Sequence, residues 1–192
     1  MSELYRNKYR SDTARALWWD YGKNGAYFIT ICTKGRKHFF GKIDSEKMEL
    51  SATGEIAEKM WFEIPNHHEY VELGEFVVMP NHVHGIILLN KPVDVDVDVV
   101  GTGHALSLQR QPDASTEPGK NRFQHIGKNT ISSIVGSYKS AVTKHANRLG
   151  LPNGWQSRFH DRIIRDADEY DRIAEYIIKN PEKWFLDTFY QE

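Results

Sequence analysis

Residues 72–89 read ELGEFVVMPNHVHGIILL. Two apolar, β-branched runs, 72–79 and 82–89, flank Pro80-Asn81. Proline lacks the N–H that a central strand needs, and Pro-Asn favours a tight turn. The stretch therefore predicts a β-hairpin. Side chains two apart on a strand share a face. His82 and His84 then project side by side, and Val83 points to the opposite face.

The pattern extends in both directions. Upstream, Ile56, Met60 and Ile64 recur every four residues, with Ala57 and Trp61 beside them and Pro65 after. That spacing predicts a helix over 51–64. Before it, YFITICT at 27–33 reads as a strand. Downstream, 91–119 holds VDVDVDVV followed by small, polar and proline residues, a composition that predicts a flexible, solvated insertion. A helix is expected over 129–149, with an apolar stripe of Ile131, Ile134, Val135, Tyr138, Val142, His145 and Leu149, ended by Gly150-Leu151-Pro152. Residues 158–165 read as a fourth strand. A last helix starts near Asp166, three before Glu169 in a capping-box spacing. It is expected to reach at least Asn180, where Pro181 breaks it or starts a second turn. The order β-α-β-β-α-β-α predicts a single α+β domain over 1–192. Its core is a ferredoxin-like β-α-β-β-α-β unit: a four-stranded antiparallel sheet with helices on one face, the other left for a ligand or a further helix.

Composition sets bounds. No apolar run approaches the roughly 20 residues of a membrane helix. The basic, polar start MSELYRNKYR is not that of a secretory leader. A single cysteine, Cys32, excludes an internal disulfide and a cysteine-based zinc site, which fits a reducing, cytoplasmic setting. The formal net charge of −1 argues weakly against nucleic acid, but its distribution does not. Residues 119–165 carry nine basic side chains against one acid, Asp161, and Arg6, Lys8, Arg10 and Arg15 make the start basic too. Such a segment is either a solvated helix face or a phosphate-binding surface.

Two constellations carry chemistry. His82 and His84 can share one metal ion, or be an ordinary pair of strand histidines. Tyr176 and Asn180, four apart, lie on one helical face at the edge of the stripe Tyr170, Ile173, Ala174 and Ile177. They suit a cleft, with Asn180 a candidate metal ligand. A boundary tyrosine followed by a helix C-cap before Pro181 is the alternative. Tyr138 falls mid-stripe and reads as core, and Tyr170 lies on the apolar face.

Three stretches resemble the REP-associated tyrosine transposases, relatives of the single-tyrosine insertion-sequence transposases within the HUH single-strand nucleases. They are the basic start leading into Tyr27-Phe28-Ile29-Thr30, the motif VMPNHVH at 78–84, and FHDRIIR at 159–165 followed by 170–181, which ends Tyr-Ile-x-x-Asn-Pro. Together they span nearly the whole chain outside 91–119, and that insertion accounts for the long spacing from histidine pair to tyrosine. The resemblance implies the nucleophile at Tyr176, the metal pair at His82 and His84, and a helper ligand at Asn180, where insertion-sequence relatives usually carry glutamine. It further implies Mg²⁺ or Mn²⁺, a 5′-phosphotyrosine intermediate, and a single-stranded or hairpin DNA substrate such as a REP-like palindrome. A monomer in the nucleoid is expected, unlike the dimeric insertion-sequence enzymes. Arg158, Arg162, Arg165, Lys139, Lys144 and Arg148 are the expected phosphate contacts. Trp18, Trp19 and Tyr21 either stack unpaired bases or belong to the core. Two rival readings stay open: a non-catalytic hairpin-binding protein on the same fold, and a metal-dependent hydrolase that uses water.

Overall fold

The computed structural model describes residues 22–92 and 129–190. Trp18, Trp19, Tyr21, the basic start and nearly all of the expected insertion lie outside the described residues.

Among the described residues, six strands and four α-helices follow in chain order. Strand β1 (Gly25–Cys32) leads through a short 3₁₀ turn into a small hairpin, β2 (Gly41–Asp44) and β3 (Lys47–Leu50). Helix α1 (Ala52–Phe62) and the single turn α2 (Ile64–His67) come next, then β4 (Val71–Met79) and β5 (His82–Leu89). The chain ends with α3 (Ile131–Arg148), β6 (His160–Ile164), α4 (Ala167–Ile178) and a 3₁₀ segment, Pro181–Leu186. The main sheet has the order β4-β5-β1-β6, and every neighbouring pair is antiparallel. This is the expected ferredoxin-like sheet, with the histidine strand in its interior. The β2–β3 hairpin is an addition that residue spacing does not announce.

The two faces of the sheet are covered differently. Tyr27, Ile29 and Ile31 of β1 and Val83 and Ile87 of β5 pack with Ala57 and Trp61 of α1 and with Ile131, Ile134, Val135, Tyr138 and Val142 of α3. The alternate residues Phe28 and Ile86 meet Ile164 of β6 and Tyr170, Ile173, Ala174 and Ile177 of α4 on the opposite face. The face left open by the β-α-β-β-α-β unit is thus taken by the last helix. Tyr138 is core, as expected: it is 2% exposed and its hydroxyl donates to Ala57 O.

Local chemistry explains the ends of the elements. Ser51 caps α1 by accepting from Gly54 N, and Pro65 begins the extra turn α2 instead of simply closing α1. At the C-terminus of α3, Leu151 N donates to Ala146 O and Gly150 N to Asn147 O. With Gly150 at φ +66°, this is a Schellman closure. The buried stripe of α3 runs through Val142 to Ala146. His145 and Leu149, expected to be buried, are exposed instead, because the 3.6-residue period carries the stripe to position 146 and the last turn projects past the core. Asp166 caps α4 by accepting from Glu169 N at 2.7 Å, and Glu169 accepts in turn from Arg165 N at 2.9 Å. The α-helix stops at Ile178, short of the expected Asn180, and Pro181 opens a tighter 3₁₀ turn.

Two close approaches fix the layers. A Cβ on Gly85 would lie 2.3 Å from Trp61 Cζ2, so only glycine lets the indole lie flat on β5. On the other face, a bulge between Leu73 and Phe76 of β4 sets Gly74 beneath Tyr170, whose hydroxyl donates to Glu75 Oε2 at 2.9 Å.

Gly85→Ala is expected to destabilise the protein by about 1–3 kcal/mol through overpacking. Gly136→Ala, an exposed helical position with open space around the new methyl, is expected to stabilise it by about 0.5–1 kcal/mol. Urea unfolding of both variants beside the wild type checks the two signs.

Candidate active site

β5 delivers His82 and His84 to the α4 face, 0% and 1% exposed. Their rings lie 4.4 Å apart, centroid to centroid. Each is oriented by a neighbour. Asn81 Nδ2 donates to Phe189 O at 2.8 Å, which turns its Oδ1 toward His82 Nδ1, also at 2.8 Å. The proton of His82 therefore sits on Nδ1, and Nε2 keeps its lone pair. Thr30 Oγ1 lies 2.8 Å from His84 Nδ1 and can hold that ring the same way.

Helix α4 brings Tyr176 over the pair. The Tyr176 hydroxyl lies 3.3 Å from His84 Nε2 and donates to Asp187 Oδ2 at 3.3 Å. Phe28 meets the Tyr176 ring edge-on. Tyr176 is half-exposed, whereas Asn180 is 2% exposed and donates through Nδ2 to Asp187 Oδ2 at 3.0 Å. The segment after α4 closes the site from above. Phe189 packs its ring 4.7 Å from His82, Trp184 stacks at 6.0 Å, and Arg36 lies 4.9 Å over Phe189 while donating to Thr188 O.

The electrostatics favour neutral imidazoles. Burial, then the Arg36 guanidinium, lowers the pKa of His82 to about 3. Burial and the neighbouring His82 hold His84 well below the usual histidine range, against an opposing pull from Asp187. Burial, then the Asp187 carboxylate, pushes Tyr176 up to about 12. Tyr176 is thus protonated at neutral pH.

The donor set fits a divalent ion. His82 Nε2 and Asn180 Oδ1 are both buried with no hydrogen-bond partner among the described residues, an uncommon state for polar groups. Donor atoms of His82, His84 and Asp187 lie within 4.8 Å of one another. Lone-pair nitrogens, a carboxylate and an amide oxygen are ligands that Mg²⁺, Mn²⁺ and their neighbours accept. His82, His84, Tyr176 and Asn180 therefore meet in one place. Asp187 and Arg36 join them, although nothing in the sequence pattern singles them out. Asp187 stands beyond the helical period, and Arg36 follows a glycine in a short turn.

The expected phosphate contacts are dispersed. Arg158 and Arg165 are exposed beside the two ends of β6, and Arg162 forms an ion pair with the buried Glu169. Lys139, Lys144 and Arg148 lie on α3, across the sheet from the histidines, and Lys139 Nζ donates to Gln156 O at 2.6 Å. Among the described residues no helix is long and apolar enough to cross a membrane.

This sheet, with paired histidines on an inner strand facing a tyrosine helix, shares its fold with a solved REP-associated tyrosine transposase. A REP-associated tyrosine transposase solved bound to a REP hairpin superposes with a TM-score of 0.53 at 19% identity, over 88% of this chain and 74% of that one. A putative transposase from Deinococcus radiodurans aligns over 88% of this chain and 98% of its own, at 14% identity and a TM-score of 0.41. No protein-family model matches the chain. An uncharacterised protein of Haemophilus influenzae is 36% identical over 177 residues, 92% of this chain and 91% of that protein, and the chain belongs to its family.

The lowered histidine pKa values have a consequence for stability. An unfolded chain takes up these protons below about pH 6.5, whereas the folded site does not. The stability tied to the neutral His82 ring is complete above pH 6.5 and is lost as pH falls from there toward 3, by about 1.4 kcal/mol per pH unit, and His84 adds a loss in the same direction. Thermal unfolding in chelator between pH 7 and pH 4 should show this slope, and His82→Gln should flatten it.

Proposed function

We propose that this protein is a metal-dependent endonuclease and strand transferase for single-stranded, hairpin-forming DNA, working through a 5′-phosphotyrosine. The observation that carries the reading is the Tyr176 hydroxyl, 3.3 Å from His84 Nε2 and beside a second buried imidazole with a free lone pair. A nucleophile on a helix, facing a preformed pair of metal-capable nitrogens, suits attack on an anionic phosphodiester. It has no evident use in simple hydrolysis, where water would attack.

His82, His84 and Asn180 are the residues that would hold the ion. When bound, a divalent ion neutralises charge on a non-bridging phosphate oxygen and orients the phosphate for in-line attack. The chain does the rest. Asn81 and Thr30 hold the two imidazoles so that Nε2 faces the cleft. Tyr176 Oη attacks phosphorus, the Tyr–O–P bond forms and the P–O3′ bond breaks. The tyrosine loses a proton and the departing 3′ oxygen gains one. The phosphoester energy is kept, so a second 3′-OH can reverse the step and join new ends. Arg158, Arg162 and Arg165 guide the strand at the edge next to α4. Lys139, Lys144 and Arg148, across the sheet, engage a more distant part of the substrate, such as a hairpin stem. Mg²⁺ or Mn²⁺ is the expected ion, and the monomer the working form.

With a 3′-end-labelled hairpin oligonucleotide and Mn²⁺, the label should become covalently attached to protein, while a 5′-end label should leave as a shortened free strand. Tyr176→Phe should lose the adduct and keep hairpin binding, and Tyr138→Phe should keep both. Tight binding without any adduct from the wild type would support the binding-only reading instead. A fully paired duplex should be a poor substrate, and binding should weaken steeply with salt as counterions are released.

A further inference from the structure

The ligand set read from the strand and the helix is electrically neutral: two imidazoles and one amide. A divalent ion taken from water into a buried cleft needs charge to offset its desolvation. The structure supplies that charge from an unexpected place. Asp187 lies beyond the 3₁₀ turn that follows α4, and its carboxylate falls within the 4.8 Å cluster with His82 and His84. Next to it, His82 Nε2 is fully buried, accepts from no donor among the described residues and faces the same space.

The position of Asp187 is held from several sides. Phe189 N donates to Asp187 Oδ1 at 2.7 Å, and Asp187 N donates to Trp184 O. Phe189 O is gripped by Asn81 Nδ2, and Thr188 O accepts from Arg36 at 3.0 Å. Asn81 thus orients His82 with one end of its amide and anchors the segment bearing Asp187 with the other. One side chain sets the geometry of both prospective ligands.

We propose that Asp187 is a carboxylate ligand of the metal centre, additional to His82, His84 and Asn180. The inference rests on the metal reading given under the proposed function. Asp187 then has two sets of partners. In the metal-free chain its Oδ2 accepts from the Asn180 amide and the Tyr176 hydroxyl. In the loaded centre the carboxylate would be shared between the ion and these donors, and its hold on the Tyr176 hydroxyl would weaken. Loading the centre and freeing the nucleophile are coupled through one side chain.

The test is Mn²⁺ titration of the metal-free, full-length protein by calorimetry, with free Mn²⁺ followed in parallel by electron paramagnetic resonance. Asp187→Asn keeps size but removes the charge and one of the two acceptor oxygens, and it should weaken Mn²⁺ binding by at least about 10-fold. Asp187→Glu restores a carboxylate on a longer arm and should recover part of that loss, which separates a missing ligand from a damaged fold. Tyr176→Phe removes one competitor for the carboxylate and should bind Mn²⁺ at least as tightly as the wild type. If the double variant His82→Ala, His84→Ala loses Mn²⁺ while Asp187→Asn binds like the wild type, the proposal fails and the metal reading stands. Equal loss in Asp187→Asn and Asp187→Glu also overturns it. A wild type that binds no Mn²⁺ removes both.

Discussion

The site depends on two imidazoles kept neutral inside the protein. β5 is covered on both faces, by α1 and α3 on one and by α4 with the segment after it on the other, and alternation puts Val83 and Ile87 into one core and His82 and His84 against the other cover. Burial makes protonation costly, so the lone pairs remain available for a ligand. Asn81 then places the proton of His82 on Nδ1, and Thr30 holds the ring of His84. A histidine pair on an uncovered face would have the same spacing but would be free to titrate and swing. The covered position is what turns two residues at the start of a hydrophobic strand into a preformed pair of lone-pair donors.

The second requirement is that a helix made much later in the chain lands on that strand in one register. The seat is specific. The bulge in β4 places Gly74 where the Tyr170 ring must lie, and Glu75 accepts the Tyr170 hydroxyl. At its N-terminus α4 is fixed by Asp166 and by Glu169, which also accepts from Arg165 N and pairs with Arg162. These contacts set the rotation of the helix, and further along α4 that rotation brings Tyr176 over His84. Arg162 contributes first to this seat, so its charge is shared between holding α4 and any role with DNA.

Much of this architecture is legible in the amino-acid sequence, and the reasons differ by element. Strand alternation and helix period are local, so the central hairpin, the first strand and the helices emerge from residue spacing, as does the shared face of His82 and His84. Tyr138 is readable as core because it sits mid-stripe. The β2–β3 hairpin is not readable, because its tight turn uses Ser45 and Glu46 at φ +49° and +63° where glycine or asparagine would normally signal it. Periodicity overstates the burial of His145 and Leu149, because a helical stripe says nothing about where the partner surface ends. Asp187 and Arg36 are hidden for a deeper reason. Their place is set by contacts between segments roughly a hundred or more residues apart, such as Asn81 with Phe189 and Arg36 with Thr188, and no local pattern encodes those.

The two faces of the sheet differ in how much holds them. α1 and α3 share a large buried cluster with the strands, whereas α4 is secured by the small one around Ile86, Ile164, Ala174 and Ile177 together with the polar contacts at its start. Such an arrangement divides the domain into cooperative units of unequal strength. The sheet with its two inner helices forms the resistant unit, and α4 with the segment after it forms the one that opens first. Amide hydrogens of α4 would then exchange through sub-global openings that leave β1 and β5 protected. The strand that carries the histidines would stay fixed while the helix that carries the tyrosine lifts and reseats, which is the freedom that the covalent intermediate proposed above would need in order to travel between two acceptors.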